Sequence, residues 1–323
     1  MSGGGLSVKG KREMYGSRFR TGVAAMLAVC GLWACAAVGS DDWKVPNWCP
    51  IVSEEGAVEE WVGKTWCGHV QGMCVSSNAI YFSFHNQIVK TDWFGRLQKR
   101  VLVDRHNGDI CCWKGRLYTG VWLKPKKDSG EKYCGCIRVY DAETLELVKE
   151  RKLADWHHGT DGITCLDGVI YMCMGRYAPD KLGYKNWYGK FDAETLESIG
   201  EPFIVDHGEE SNCGSQNMTT DGRYIYSSYY VISEQARTPN LMVYDTDFNV
   251  IAKYTYGFNN GMDFVPGGKD GAVRFAFCCT PNWMHSREQP PLRVQGVVTF
   301  AELKDGRFSD LTKYGWSAKP IDR

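Results

Sequence analysis

Histidine and aspartate recur at a fixed interval in this chain: His106 stands three residues before Asp109, and His158 three before Asp161. Asn260 stands three before Asp263 and His69 two before Gln71, while Gln216 and Asn217 form a comparable polar stretch preceded by His207, Glu209 and Glu210. Five of the seven histidines (His69, His106, His157, His158, His207) fall in these stretches, a clustering that scattered surface histidines would not give. Three chemistries suit such groups. Imidazoles from His69, His106 and His158 can hold a transition metal, neutral imidazole being a common ligand. Asp109, Asp161 and Asp263, with Glu209 or Glu210, can supply acid/base carboxylates. The same carboxylates, with Asn and carbonyl oxygens, can bind Ca²⁺ or simply a polar ligand. Each side chain also has a plainer use, satisfying backbone N–H groups of neighbouring strands.

These stretches open five copies of one pattern. Its first half reads GHVQGMCVSSNAIYFS from Gly68, HNGDICCWKGRLYTG from His106, HGTDGITCLDGVIYM from His158, GSQNMTTDGRYIYSS from Gly214 and NGMDFVPGGKDGAVRF from Asn260. Its second half reads VKTDWFGRL, RVYDAETLELV, GKFDAETLESIG, MVYDTDFNVI and VTFAELKDGRF. Taking Asp92, Asp141, Asp192, Asp245 and Ala301 as equivalent, the spacings are 49, 51, 53 and 56 residues. A strand-filled period of that length predicts an all-β, five-bladed β-propeller of four-stranded antiparallel blades. The expected blades span 67–104, 105–154, 155–206, 207–256 and 257–318. Blade 2, for example, should contain strands Gly108–Trp113, Arg116–Val121, Gly135–Tyr140 and Leu147–Leu153.

In such a fold the first strand (A) of each blade lines the central channel. Strands alternate in direction, so the D-to-A and B-to-C connections emerge on one face. The polar stretches and the B-to-C loops therefore converge at a single mouth. From the strand-B aromatic to the acidic turn is 11 residues in blade 1 (Tyr81 to Asp92). It is 23, 21, 19 and 26 residues in the others (Tyr118–Asp141, Tyr171–Asp192, Tyr226–Asp245, Phe275–Ala301). Hairpin loops are normally much shorter, and long ones often carry function. These insertions bring Trp187, Trp283, Arg176 and Arg287 among other aromatic and cationic residues, a mixture suited to a polar, sugar-like or anionic ligand. The expected ligand-binding set is His106, His158, Gln71, Gln216, Asn217, Trp187, Trp283, Arg176 and Arg287.

Charge and composition narrow the classes further. With 38 basic and 38 acidic residues the chain has no field to attract nucleic acid or an anionic membrane. Residues 1–39 read as an export signal, with Lys9, Lys11, Arg12, Arg18 and Arg20 before an apolar run from Val23 to Val38 and a small-residue cut before Ser40. A lipoprotein reading centred on Cys35 is the alternative, although the bulky Trp33 fits it poorly. The run is short for a membrane span, so no stable span is expected in the mature chain. Residues 40–66 form an extension able to lend a ring-closing strand, and 67–320 the propeller, expected as a monomer in the periplasm or outside the cell. The twelve cysteines after the signal permit disulfides, with Cys49–Cys67 the expected pair. No CxxC is present, and Cys111, Cys112 and Cys165 read as small buried hydrophobes.

The runs VQGM at Val70–Met73, DGIT at Asp161–Thr164 and YDAETLE at Tyr140–Glu146 resemble the five-bladed glutaminyl-peptide cyclotransferases of plants and bacteria. That family has a Glu where this chain has Asp161. The resemblance implies Asp161 as the acid/base group and Gln71 as a channel residue. The sequence thus predicts an exported propeller that binds or processes a small polar ligand, carbohydrate first, at a His/Asp-lined mouth. A hydrolase or cyclotransferase using the channel carboxylates, and a protein-binding scaffold, are the alternatives. Catalytic candidates are Asp161, Asp109 and Asp263. Candidate cofactors are a transition metal on His69, His106 and His158, or Ca²⁺ at the channel.

Overall fold

The computed structural model describes residues 51–53, 70–103, 106–123, 130, 132–156, 159–176, 183–211, 214–229, 239–256, 260–279 and 294–312. These residues form strands and no helix, in five sheets that make a five-bladed β-propeller. Blade 1 is β2 (Val70–Val75), β3 (Ile80–Phe84), β4 (Gln87–Thr91) and β5 (Leu97–Leu102). Blade 2 is β6 (Asn107–Trp113), β7 (Arg116–Leu123), β8 (Cys134–Asp141) and β9 (Leu147–Leu153). Its strands match the expected ones to within two residues. Blade 3 is β10 (Ile163–Leu166), β11 (Val169–Arg176), β12 (Gly183–Asp192) and β13 (Phe203–Ser211). Blade 4 is β14 (Ser215–Thr220), β15 (Ile225–Tyr229), β16 (Leu241–Tyr244) and β17 (Val250–Tyr254). Blade 5 is β18 (Gly261–Val265), β19 (Val273–Cys279) and β20 (Val294–Lys304), with β21 (Arg307–Asp310) on the far edge of β20. The short β1 (Ile51–Ser53) pairs with the start of that same edge, opposite Val297, Gly296 and Val294.

Burial follows position in the blade. Strand β2 is buried along its whole length, whereas the outermost strands β5 and β9 are mostly exposed. Because sheets twist, adjacent blades pack face to face, and one apolar cluster fills each seam. Cys74, Tyr81, Ile110 and Leu117 join blades 1 and 2. Ile163, Met172, Tyr118 and Val139 join blades 2 and 3. Met218, Tyr171, Tyr188 and Met242 join blades 3 and 4. Met262, Tyr226, Phe275 and Phe277 join blades 4 and 5. Val265, Ala276, Phe300, Met73 and Phe82 join blade 5 to blade 1, so the ring of cores is continuous.

The repeated acidic turn is structural. Asp141 Oδ1 accepts the N–H groups of Glu143 and Thr144 (3.0 and 2.9 Å), and Asp192 Oδ1 those of Glu194 and Thr195 (3.0 and 2.7 Å). These bonds hold both carboxyls below the usual carboxylate range. Each turn then passes through a left-handed residue, Leu145 or Leu196, whose side chain is fully buried. Basic side chains from the preceding blade clasp these turns: Lys90 reaches Glu143 (2.7 Å), and Arg151 reaches Glu197 (2.9 Å) and the Leu196 carbonyl.

Candidate functional site

Counting from the buried Met or Ile that each A strand presents to the preceding seam aligns the five strands. The residues are Met73, Ile110, Ile163, Met218 and Met262. Two residues before it stand Gln71, Gly108, Asp161, Gln216 and Asn260. One residue before it stand Gly72, Asp109, Gly162, Asn217 and Gly261. One residue after it blade 5 carries Asp263. The three aspartates therefore occupy three different levels of the channel.

Asp109, fully buried, lies at the middle level and ties three blades together. It accepts the N–H of Ile163 in blade 3 (3.1 Å) and that of Met218 in blade 4 (2.8 Å). It also accepts the Asn217 amide (3.0 Å), whose nitrogen donates in addition to the Gln71 carbonyl of blade 1 (2.8 Å). Blade 2 is thus bonded to blade 4, and blade 4 to blade 1, forming a crossbar over the centre of the ring. Gly72 has no side chain because a β-carbon there would fall on the Asp109 main chain, 2.6 Å from its Cα. Asp263 is engaged in the same manner at the lower level. It accepts Val75 N–H (2.7 Å) from blade 1, the Thr219 hydroxyl (2.5 Å) from blade 4, and Phe264 N–H (2.9 Å).

Asp161 differs. It lies at the upper level, one residue nearer the mouth than the crossbar, and no hydrogen bond reaches its carboxylate from the described residues. Its backbone is fixed by Asp161 N–H to Cys173 O (3.1 Å), Cys173 N–H to Gly162 O (2.7 Å) and Gly162 N–H to Ser215 O (3.0 Å). The preceding residue, Thr160, presses into a glycine-lined trough of blade 2. A β-carbon on Gly108 would lie 2.9 Å from the Thr160 carbonyl and 3.3 Å from Asp161 Cα, and one on Gly120 3.1 Å from the same carbonyl. The residue is partly exposed, and its carboxylate lies beside Gly159. Burial pushes its acid up to about 6.

Titration alone does not separate the three. Burial also raises Asp109 well above its ordinary value and Asp263 to about 6, in both cases against the hydrogen bonds that favour the ionised form. Hydrogen bonding separates them.

Around Asp161, the upper level carries amides and imidazoles. Gln216 Nε2 donates to Gln71 Oε1 (3.4 Å), and Gln71 Nε2 lies 2.8 Å from His85 Nε2. With Gln71 in that orientation, His85 accepts through Nε2 and carries its proton on Nδ1. The His85 ring meets His106 edge to face, centroids 4.1 Å apart, and burial lowers the His106 pKa. His85 is the member of this group that the repeat pattern did not single out. It sits in the short B-to-C turn of blade 1 and reaches the mouth because that turn is short.

His69, His158, Trp283 and Arg287 lie outside the described residues, as does the side chain of Arg176. The Cys49–Cys67 pairing also lies outside them. Among the described residues no three His, Cys, Asp or Glu side chains converge to hold a metal. His207 is buried with its ring 4.4 Å from that of Tyr229. Trp187 sits against Trp156 between blades 2 and 3. Cys74, Cys111, Cys112, Cys134, Cys136, Cys165 and Cys173 form no disulfide, and burial keeps the Cys165 thiol protonated, pushing it up to about 12.

The fold and site define a five-bladed propeller whose channel is barred at mid-depth, with Asp161 above the bar taking no hydrogen bond on its carboxylate among the described residues. No protein-family model matches the sequence, and no curated protein matches it. Solved structures match in fold. A GH43_1 enzyme from Xanthomonas citri, solved in complex with xylotriose, aligns with a TM-score of 0.50 at 10% identity, covering 80% of this chain and 95% of that one. The Pan2 WD40 domain of Neurospora crassa aligns at 0.39 and 9% identity, covering 72% of this chain and 58% of that one. The Myxococcus xanthus glutaminyl cyclase aligns at 0.35 and 12% identity, covering 56% and 73%. No helix among the described residues is long and apolar enough to cross a membrane.

Proposed function

We propose that this chain is an exported, monomeric propeller that binds a small polar ligand, carbohydrate first, at the channel mouth and exchanges a proton with it through Asp161. One observation carries the reading: of three channel aspartates whose pKa burial raises, Asp161 alone takes no hydrogen bond from the described residues. A carboxyl poised near 6 is divided between acid and base close to neutral pH, as proton transfer requires. The Gln71 and Gln216 amides beside it offer oriented donors and acceptors for hydroxyl or amide groups. The hydrolase and cyclotransferase alternatives would use this same carboxylate. Asp109 and Asp263 stay with the fold.

The test is binding and turnover by the full chain against neutral oligosaccharides and peptides with N-terminal glutamine, at pH 5 and pH 7.5, beside Asp161→Asn. The reading expects one of these classes to bind with a pH dependence centred near 6. It expects turnover, where present, to fall about 100-fold or more in Asp161→Asn without loss of fold. A pH-dependent component of binding that is absent, or that is unchanged in Asp161→Asn, together with unchanged turnover, would sink it.

A further inference from the structure

A cleft of about 630 Å³ lies between blades 2 and 3, lined by none of Gln71, Asp109, Asp161, Gln216 or Asp263. Trp156 and Trp187 stand at its head and meet edge to face, with centroids 5.6 Å apart and planes at 84°. Both are half-buried, resting on the core of this seam while leaving part of each ring open. Trp156 is held firmly. Its N–H donates to Leu153 O (2.8 Å), its carbonyl accepts Gly135 N–H (2.9 Å), and its indole N–H donates to Gly159 O (3.4 Å). Met174 and Phe191 line the floor, where Gly189 leaves no room for a side chain.

The charges along the cleft decide what it can take. Arg151 is engaged by Glu197 and the Leu196 carbonyl, and Lys190 by the Thr246 carbonyl (2.8 Å), so both reach across to the next blade. That leaves Lys152 against Asp155 and Glu201, all three exposed. Such a rim has no net positive field to hold an anion. A hydrocarbon would gain from the indoles but would cover three hydrogen-bonding groups and strip their water. A neutral ring with a flat C–H face and hydroxyls at its edge satisfies both kinds of surface, and the volume lies in the range of small-molecule sites.

We propose that this cleft is a second binding site, taking a neutral pyranose oligosaccharide with one ring stacked on the Trp156–Trp187 corner. Lys152, Asp155 and Glu201 bond its hydroxyls. The site stands apart from the Asp161 reading, since none of its residues lies in the channel.

Tryptophan fluorescence and saturation-transfer NMR on the full chain, titrated with xylo-, cello- and malto-tetraose, test it. At least one series should saturate the wild type with a shift in indole emission. Trp187→Ala should weaken that affinity tenfold or more. Glu201→Ala and Lys152→Ala, at exposed positions outside the core, should each weaken it about three- to tenfold, which keeps the test intact if Trp187→Ala fails to fold. Asp161→Asn should leave it within twofold, which separates this site from the mouth. The proposal is overturned if no series saturates the wild type at millimolar concentration. It is equally overturned if affinity follows Asp161→Asn while ignoring Glu201 and Lys152.

Discussion

Asp109 and Asp161 stand in adjacent blades, one level apart in the same channel, and do opposite things. Asp109 is covered completely and accepts three N–H donors from two other blades. Asp161 is partly open, and its carboxylate is met by none among the described residues. Burial raises the pKa of both. A raised pKa therefore marks burial, and the hydrogen-bond inventory distinguishes a structural carboxylate from one with lone pairs left for a ligand.

The comparison is broken most severely at Asp109. Replacing it by Ala leaves the N–H groups of Ile163 and Met218 and the Asn217 amide without their acceptor. Each such buried group costs roughly 1–3 kcal/mol, so a total loss of about 3–9 kcal/mol is expected, measured by denaturant unfolding. A loss under about 1 kcal/mol would mean that the crossbar does not hold the ring.

Asp161→Asn is expected to act in the opposite direction on stability. A carboxyl raised from 3.8 to about 6 binds its proton more tightly in the folded state. Its favourable contribution is therefore complete below pH 3.8 and lost as pH rises through 6. The neutral Asn should match wild type near pH 3.5 and exceed it near pH 7.5, by at most ~3 kcal/mol. Equal stability of the two proteins across that range would contradict a strained Asp161.

Gly108→Ala sharpens the contrast by crowding Asp161 while removing none of the donors to Asp109. The added methyl pushes on Thr160 O and Asp161 Cα at 2.9 and 3.3 Å, an overpacking expected to cost about 1–3 kcal/mol. Ligand affinity at the mouth should fall with it, as read by titration calorimetry. The smallest effect is expected from Thr219→Val. It removes one of the three donors to Asp263 while leaving those from Val75 and Phe264, costing about 1 kcal/mol in thermal or denaturant unfolding.

The fold was legible because a period near 50 residues survives in the features that build blades. These are the acidic turn with its buried Leu145, Leu196 or Phe248 three or four residues on, the strand-B aromatic, and the inner strands. Each is set by local chemistry: an Asp side chain capping its own turn, and a large ring filling one seam. The site was legible only in part. Spacing from histidine to aspartate aligned Asp109 with Asp161, although the bulge between Asn107 and Ile110 puts Asp109 one level deeper. Aligning on Met73, Ile110, Ile163, Met218 and Met262 would have separated them. What no alignment of one sequence contains is the cross-channel partner. The bonds from Asp109 to Met218 and from Asn217 to Gln71 join residues more than a hundred positions apart, through a geometry that exists only once the ring has closed. His85 escaped for a related reason, since its role comes from the shortness of the turn that carries it.

The most direct measurement is a carboxyl-carbon NMR titration of the aspartates in the folded chain, with the Asp161 resonance assigned by its disappearance in Asp161→Asn. The account predicts that this resonance titrates with a midpoint near 6 and moves when a ligand occupies the mouth. A midpoint near the ordinary 3.8, unmoved by any ligand that binds, would contradict it.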